Sequence, residues 1–101
     1  MTSAPGKIVL LGGSAGGIEA VGLILQVLPA DVDAALFVVV HLNPSVPSFL
    51  PDILQRRTKL HVVSARDGAA IVAGTVYVAP PDRHLTIHDG HVHVARGPLE
   101  N

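Results

Sequence analysis

The chain has 101 residues, of which 49% are hydrophobic and 15% are charged, and its formal net charge is −1. This length fits one small domain, the charge without a basic cluster argues against binding to nucleic acid, and the absence of cysteine excludes disulfides, thiolate metal sites and cysteine nucleophiles. No apolar run reaches the roughly 20 residues of a membrane span and no signal-peptide pattern is present, so we expect a cytoplasmic protein without membrane insertion.

The first part of the chain has the pattern of a parallel β–α–β unit. The apolar run Lys7–Gly12 predicts a strand, and Ala35–Val40 predicts a second, buried strand that ends at His41. Pro29 ends the helix between them. The apolar stripe of that helix consists of Ile18, Val21, Ile24, Leu25 and Leu28. This order of elements predicts an α/β fold with a right-handed crossover.

A second helix and two further strands follow in the pattern. Ser48 is the expected N-cap of the helix, Pro51 is tolerated in its first turn, and Arg56-Arg57 close it near the negative end of its dipole. The runs His61–Ala65 and Thr75–Ala79 predict the strands. The residues expected on the buried side of the helix are Phe49, Leu50, Ile53 and Leu54.

The last predicted element is a β-hairpin around Asp89-Gly90, a pair typical of a type I′ turn. Its register places His88 opposite His91 and Ile87 opposite Val92. One face is then apolar, with Leu85, Ile87, Val92 and Val94, and the other carries His84, Thr86, His88, His91 and His93. Cross-strand histidines could reach a transition metal, but no acidic residue joins them in a ligand pattern, so we expect a solvated face without metal or cofactor.

The strongest chemical motif is Gly12-Gly13-Ser14-Ala15-Gly16, which matches G-x-S-x-G between a strand and a helix. In this pattern Ser14 is a candidate nucleophile, and its glycines allow a strained bend. The backbone N–H of Ala15, with Gly13 and Gly16 beside it, would stabilise an oxyanion. The alternatives are a glycine turn that binds phosphate and a plain link between strand and helix. A Rossmann fingerprint and a P-loop are both absent.

His41 is the candidate general base for this serine. It ends the strand that follows the first crossover, so it belongs to the same carboxyl edge of the sheet as Ser14. From there it could take the hydroxyl proton and later protonate the leaving group. A structural histidine that caps the strand is the alternative. Asp67-Gly68 and Pro81-Asp82 have the residue types of turns.

Several segments of the chain resemble the CheB-type protein-glutamate methylesterases of bacterial chemotaxis. The resemblance runs from about Lys7 to Asn101 and is most specific in its proline-rich block. Its segments are Gly12–Ala20, Leu28–Asp31, Val38–His41, Ala65–Gly68, Gly74–Leu85 and Gly97–Asn101. It implies a doubly wound three-layer α/β/α fold with a mostly parallel sheet. It also implies hydrolysis of glutamate γ-methyl esters on methyl-accepting chemotaxis receptors, with deamidation of receptor glutamines in many members.

The same resemblance implies a Ser-His-Asp triad, in which Ser14 is the nucleophile and His41 the histidine. The family's domain continues beyond the point that matches Asn101, and its catalytic aspartate lies in that further part. We therefore assign no triad role to Asp52, Asp67, Asp82 or Asp89, and we expect residues 1–101 to be a truncated catalytic domain with weak or no activity. Uncovered apolar faces would also favour aggregation or a partner.

Two other expectations concern regulation and alternatives. Many family members carry a receiver domain in a phosphorelay, so without one a separate receiver or chemotaxis signalling protein would control this chain. The alternatives to a methylesterase are a non-catalytic remnant or partner-binding half-domain of the same family, and a small phosphate-binding α/β domain.

Overall fold

A parallel sheet of four strands forms the centre of the fold in this computed structural model, which describes residues 4–41, 49–81 and 83–96. The strand order is β1-β2-β4-β3, with β1 Lys7–Ser14, β2 Ala34–His41, β3 His61–Ser64 and β4 Thr75–Val78. A short 3-10 turn, Ala15–Gly17, leads into α1 (Ile18–Gln26), and α2 (Leu50–Gln55) precedes β3. Strands β5 (Arg83–His88) and β6 (His91–Arg96) form an antiparallel hairpin. Among the described residues, no helix has the length and apolar character that crossing a bilayer requires.

Both helices pack on one face of the sheet. Val21 and Leu25 of α1 and Leu54 of α2 are buried in one cluster with alternate strand residues such as Val38 and Val76. The chain moves in the same direction across the sheet from β1 to β2 and from β2 to β3. Right-handed crossovers in one direction place their helices on the same side, which accounts for this helix layer.

The hairpin covers the other face. Val92 of β6 is fully buried there against Phe37 of β2 and Tyr77 of β4, whose rings stack with centroids 5.0 Å apart. Ala65 and Ile71, on the connection from β3 back to β4, join the same cluster. That connection reverses the direction of travel, and the same handedness rule then places it opposite the helices. The predicted α/β class and mostly parallel sheet are confirmed.

The hairpin has the predicted register. His88 pairs with His91 and Ile87 with Val92, and the turn residues Asp89 and Gly90 have φ of 58° and 75°. Positive φ at both positions is the geometry of a type I′ turn. The strands extend one residue further than predicted at their outer ends, to Arg83 and Arg96.

Some side chains predicted to be buried are exposed instead. Ile24 of α1 is 43% exposed, Ile53 of α2 is 44% exposed, and Phe49, which precedes α2, is 64% exposed. Ile87 at the tip of the hairpin is also 43% exposed. Helical spacing predicts a broad apolar stripe, whereas each short helix contacts the sheet only along its centre line. The predicted N-cap, Ser48, lies outside the described residues.

Candidate active site

Ser14 and His41 are the last residues of the neighbouring parallel strands β1 and β2, and they are direct partners in the register. Neighbouring strands in a sheet lie about 4.8 Å apart, and partners in register project to the same face. Both residues are exposed. The structure therefore brings together, at the carboxyl edge of the sheet, the two residues that the sequence predicts as nucleophile and base.

Ser14 ends a strand rather than occupying a bend. Strand β1 continues through Gly13 to Ser14, two residues beyond the predicted end at Gly12, and the 3-10 turn begins only at Ala15. The prediction of a strained bend is wrong, because no residue from Gly12 to Gly17 has positive φ. A right-handed 3-10 turn connects β1 to α1, and this turn does not need positive φ.

The glycines instead leave open space beside Ser14. A Cβ added at Gly13 would meet nothing within 4 Å, and one at Gly16 would lie 3.8 Å from the Ser14 Oγ atom. The N–H groups at the start of a helix lack partners within the helix. The turn that contains Ala15 leads directly into α1, so these donors follow Ser14 in the chain. The described residues therefore leave room beside Ser14 at Gly13 and Gly16.

No acidic residue is paired with His41 in the described ranges. The ion pairs present there join Arg57 to Glu19 and His93 to Asp67, and no hydrogen bond or ion pair joins His41 to Ser14. Asp82 lies outside the described residues. The arrangement thus holds a serine and a histidine in register, without an orienting carboxylate in the part of the chain that is described.

Asp67 has a structural contact that the sequence does not reveal. Its Oδ1 atom accepts a hydrogen bond from the Val94 N–H at 2.9 Å and lies 3.8 Å from the His93 Nδ1 atom. Beside it, Gly68 donates its N–H to the Val92 carbonyl at 2.6 Å. Asp67-Gly68 forms the predicted turn, and its hydrogen bonds also hold β6 against the connection that follows β3.

The histidine face of the hairpin is exposed at its tip. The rings of His88 and His93 lie 6.2 Å apart, and the His91 Nδ1 atom lies 2.8 Å from the Asp89 carbonyl oxygen. Within residues 4–41, 49–81 and 83–96, no group of three or more His, Cys, Asp or Glu side chains is placed to hold a metal ion.

The chain is similar over most of its length to known methylesterases. The family model described as CheB methylesterase matches residues 9–101. A protein-glutamate methylesterase/protein-glutamine glutaminase of Methanosarcina acetivorans is 32% identical over 97% of this chain, and one of Shigella boydii is 34% identical over 85%. The crystal structure of the Thermotoga maritima CheB methylesterase catalytic domain superposes with a TM-score of 0.78, at 34% identity over 94% of this chain.

These relatives are considerably longer than the chain. The matched region covers 30% of the Methanosarcina protein, 31% of the Shigella protein and 51% of the Thermotoga catalytic domain. The similarity therefore concerns about half of a catalytic domain.

Proposed function

The chain belongs to the CheB methylesterase family, and on that basis we propose that it forms part of a protein-glutamate methylesterase catalytic domain. Its substrates would be glutamate γ-methyl esters on methyl-accepting chemotaxis receptors, and receptor glutamines would be deamidated by the same chemistry. The observation that carries this proposal is the register pairing of Ser14 with His41 at the carboxyl edge of the sheet. The proposed location is the cytoplasm, and the chemistry needs no metal or cofactor.

The proposed reaction is a two-step acyl transfer. The Ser14 hydroxyl attacks the ester carbonyl while His41 takes its proton, and His41 then gives that proton to the methoxide oxygen as the C–O bond breaks and methanol leaves. Water, activated by the same histidine, hydrolyses the acyl-enzyme and leaves a free glutamate. The N–H of Ala15 would hold the oxyanion, since Gly13 and Gly16 leave room for the carbonyl; one such donor stabilises the transition state by about 3 kcal/mol.

The third triad member would come from outside the matched half of the domain. An acid that fixes the histidine tautomer contributes on the order of 10⁴ in kcat in the serine protease template. We therefore propose that residues 1–101 alone are a truncated catalytic domain with weak or no activity.

The role of Ser14 and His41 is tested by methanol release from methylated receptor. The wild-type chain should release methanol slowly, and Ser14→Ala and His41→Ala should abolish that release. Ser64→Ala is the matched control, because Ser64 is also exposed at the carboxyl end of a strand, β3. Release that persists in Ser14→Ala would refute the nucleophile assignment. Receptor binding without any release would favour the partner-binding half-domain.

The truncation is tested with an alkyl fluorophosphonate, which labels activated serines. Ser14 should be labelled far more slowly than the nucleophile of the complete Thermotoga catalytic domain, because no carboxylate among the described residues pairs with His41 to hold its productive tautomer. Mass spectrometry of the labelled peptide gives the rate. Equal rates in the two proteins would show that the chain needs no further acid.

A further inference from the structure

A groove of about 430 Å³ opens beside the C-terminal ends of α1 and α2. Each helix precedes a strand of the parallel sheet, so both helices end at the amino edge, where those strands begin. Ser14 lies at the opposite, carboxyl edge, and the length of α1, about 13 Å, separates it from the groove. We call this feature the basic groove and define it by its lining residues, Gln26, Arg56, Arg57, Thr58 and Lys59.

The lining of the basic groove carries an excess of positive charge. Arg56, Arg57 and Lys59 are three of the chain's seven lysine and arginine residues, and none of the five described lining residues is acidic. Arg57 is paired with Glu19 at 3.2 Å. The side chains of Arg56 and Lys59 are exposed and form no hydrogen bond or ion pair with any described residue. Two positive charges of the groove are therefore available to a ligand.

The turn that carries these cations is held against α1. The Thr58 Oγ1 atom donates to the Leu25 carbonyl at 3.0 Å and accepts the Leu60 N–H at 3.1 Å. The Arg57 Nη2 atom donates to the Gln26 Oε1 atom at 3.4 Å, which leaves the Nε2 group of the Gln26 amide as a further donor. Donors that the fold already holds in place bind a ligand with a smaller loss of conformational entropy, which favours the basic groove as an anion site.

We propose that the basic groove binds the phosphate group of a small phosphorylated molecule. A phosphate monoester carries a charge of about −1.5 to −2 at pH 7, which matches the two available positive charges. The planar guanidinium of Arg56 can bond to two phosphate oxygens at once, and the ammonium of Lys59 adds a compact positive charge. The volume of the groove lies within the range of roughly 300–1,000 Å³ that is typical of small-molecule sites.

The size of the basic groove argues against larger anionic partners. Segments that bind anionic membranes use clusters of about 4–8 lysine and arginine residues, whereas three line this groove. Binding to nucleic acid needs a basic stripe along a whole face, and the net charge of this chain is −1. A stable protein interface uses about 20–30 residues on each side, compared with the five that line the groove. A small phosphorylated molecule is the anion that fits these limits.

The site is tested by NMR titration of the ¹⁵N-labelled chain with glycerol 1-phosphate at constant ionic strength. The amide shifts should saturate with a Kd of about 1 mM or tighter and should be concentrated at Gln26 and residues 56–59. Arg56→Gln and Lys59→Gln should each weaken binding by about fivefold or more, because each removes a charge-assisted contact. Arg66→Gln is the matched control and should bind as wild type, since Arg66 is exposed on the connection from β3 to β4, on the other face of the sheet.

Shifts that do not saturate, or equal binding by Arg56→Gln and Arg66→Gln, would overturn the site. Tighter binding of a hexaglutamate peptide would overturn the small-molecule ligand in favour of an acidic protein segment, and binding of inorganic phosphate alone would exclude a phosphate ester. Lower urea midpoints of the Arg56 and Lys59 variants without saturable binding would leave these cations only the role of offsetting the helix dipoles. Ester hydrolysis enters none of these readouts, so the result does not depend on the proposed function.

Discussion

Gln55 uses its side-chain amide in the place of a peptide group from a further strand. It donates to Leu60 and accepts from Val62, at the edge of β3. Both backbone groups are partly buried, so a residue that cannot bond leaves them without partners. Gln55→Met should therefore lower the free energy of unfolding by about 2 kcal/mol, measured from urea unfolding curves.

Gln26→Met is the matched control for this experiment. Among the described residues, the Gln26 amide makes a single, exposed contact, to Arg57 at 3.4 Å, so its loss should change stability by less than about 0.5 kcal/mol. Equal effects of the two substitutions would mean that the amide of Gln55 contributes no more than a surface hydrogen bond.

Tyr77 also bonds to backbone groups through its side chain, but from inside the core. Its ring is buried, and its hydroxyl accepts the Val72 N–H at 2.8 Å and donates to the Ala70 carbonyl at 3.1 Å. Tyr77→Phe keeps the ring stacked on Phe37 but leaves both backbone groups unpaired. We expect a loss of about 1–2 kcal/mol in urea unfolding, and no loss would mean that water replaces the hydroxyl.

The sequence predicts Ser14 and His41 as a pair, because strand ends can be located from apolar runs and parallel strands share one carboxyl edge. It does not predict the contacts of Gln55, Asp67 or Tyr77. Each of these side chains bonds to backbone whose position depends on how separate elements pack, and no local spacing of residues encodes that.

At the scale of elements, the hairpin depends on its turn. Gly90 has φ of 75°, and a side chain is strained there, so Gly90→Ala should lower stability by about 1 kcal/mol. Gly13→Ala is the control, because Gly13 does not have positive φ and a Cβ there meets nothing within 4 Å. Urea midpoints would compare the two, and equal losses would contradict the turn assignment.

The sequence predicts the helices and strands closely, but it does not predict which of their apolar faces are buried by other elements. The Asp89-Gly90 pair predicts the turn and the register of the hairpin, since only a few residue pairs adopt type I′ geometry. The stripe of α1 predicts a helix, yet Ile24 is exposed. Periodicity identifies an apolar face without showing whether the described fold supplies a partner for it.

At the scale of the whole molecule, the exposed apolar side chains Ile8 and Leu10 of β1, which pairs with β2 alone among the described strands, should make the isolated chain self-associate. Leu10→Lys should reduce the association seen by light scattering as concentration rises, whereas Ile53→Lys should have little effect. Neither should change the urea midpoint much, because Leu10 is 69% exposed and Ile53 of α2 is 44% exposed. Association that falls equally in both variants would place the contact elsewhere on the surface.

The closure of β3 by Gln55 also determines how far such association can proceed. A filament that grows by sheet extension needs two free edges on every subunit, one to accept a neighbour and one to offer to the next. In the described residues, the Leu60 carbonyl and the Val62 N–H at the β3 edge are already bonded to Gln55. Two copies joined through β1 would present this edge at both ends, so a further strand could pair there fully only by displacing Gln55. Gln55 should therefore disfavour fibre growth through β3.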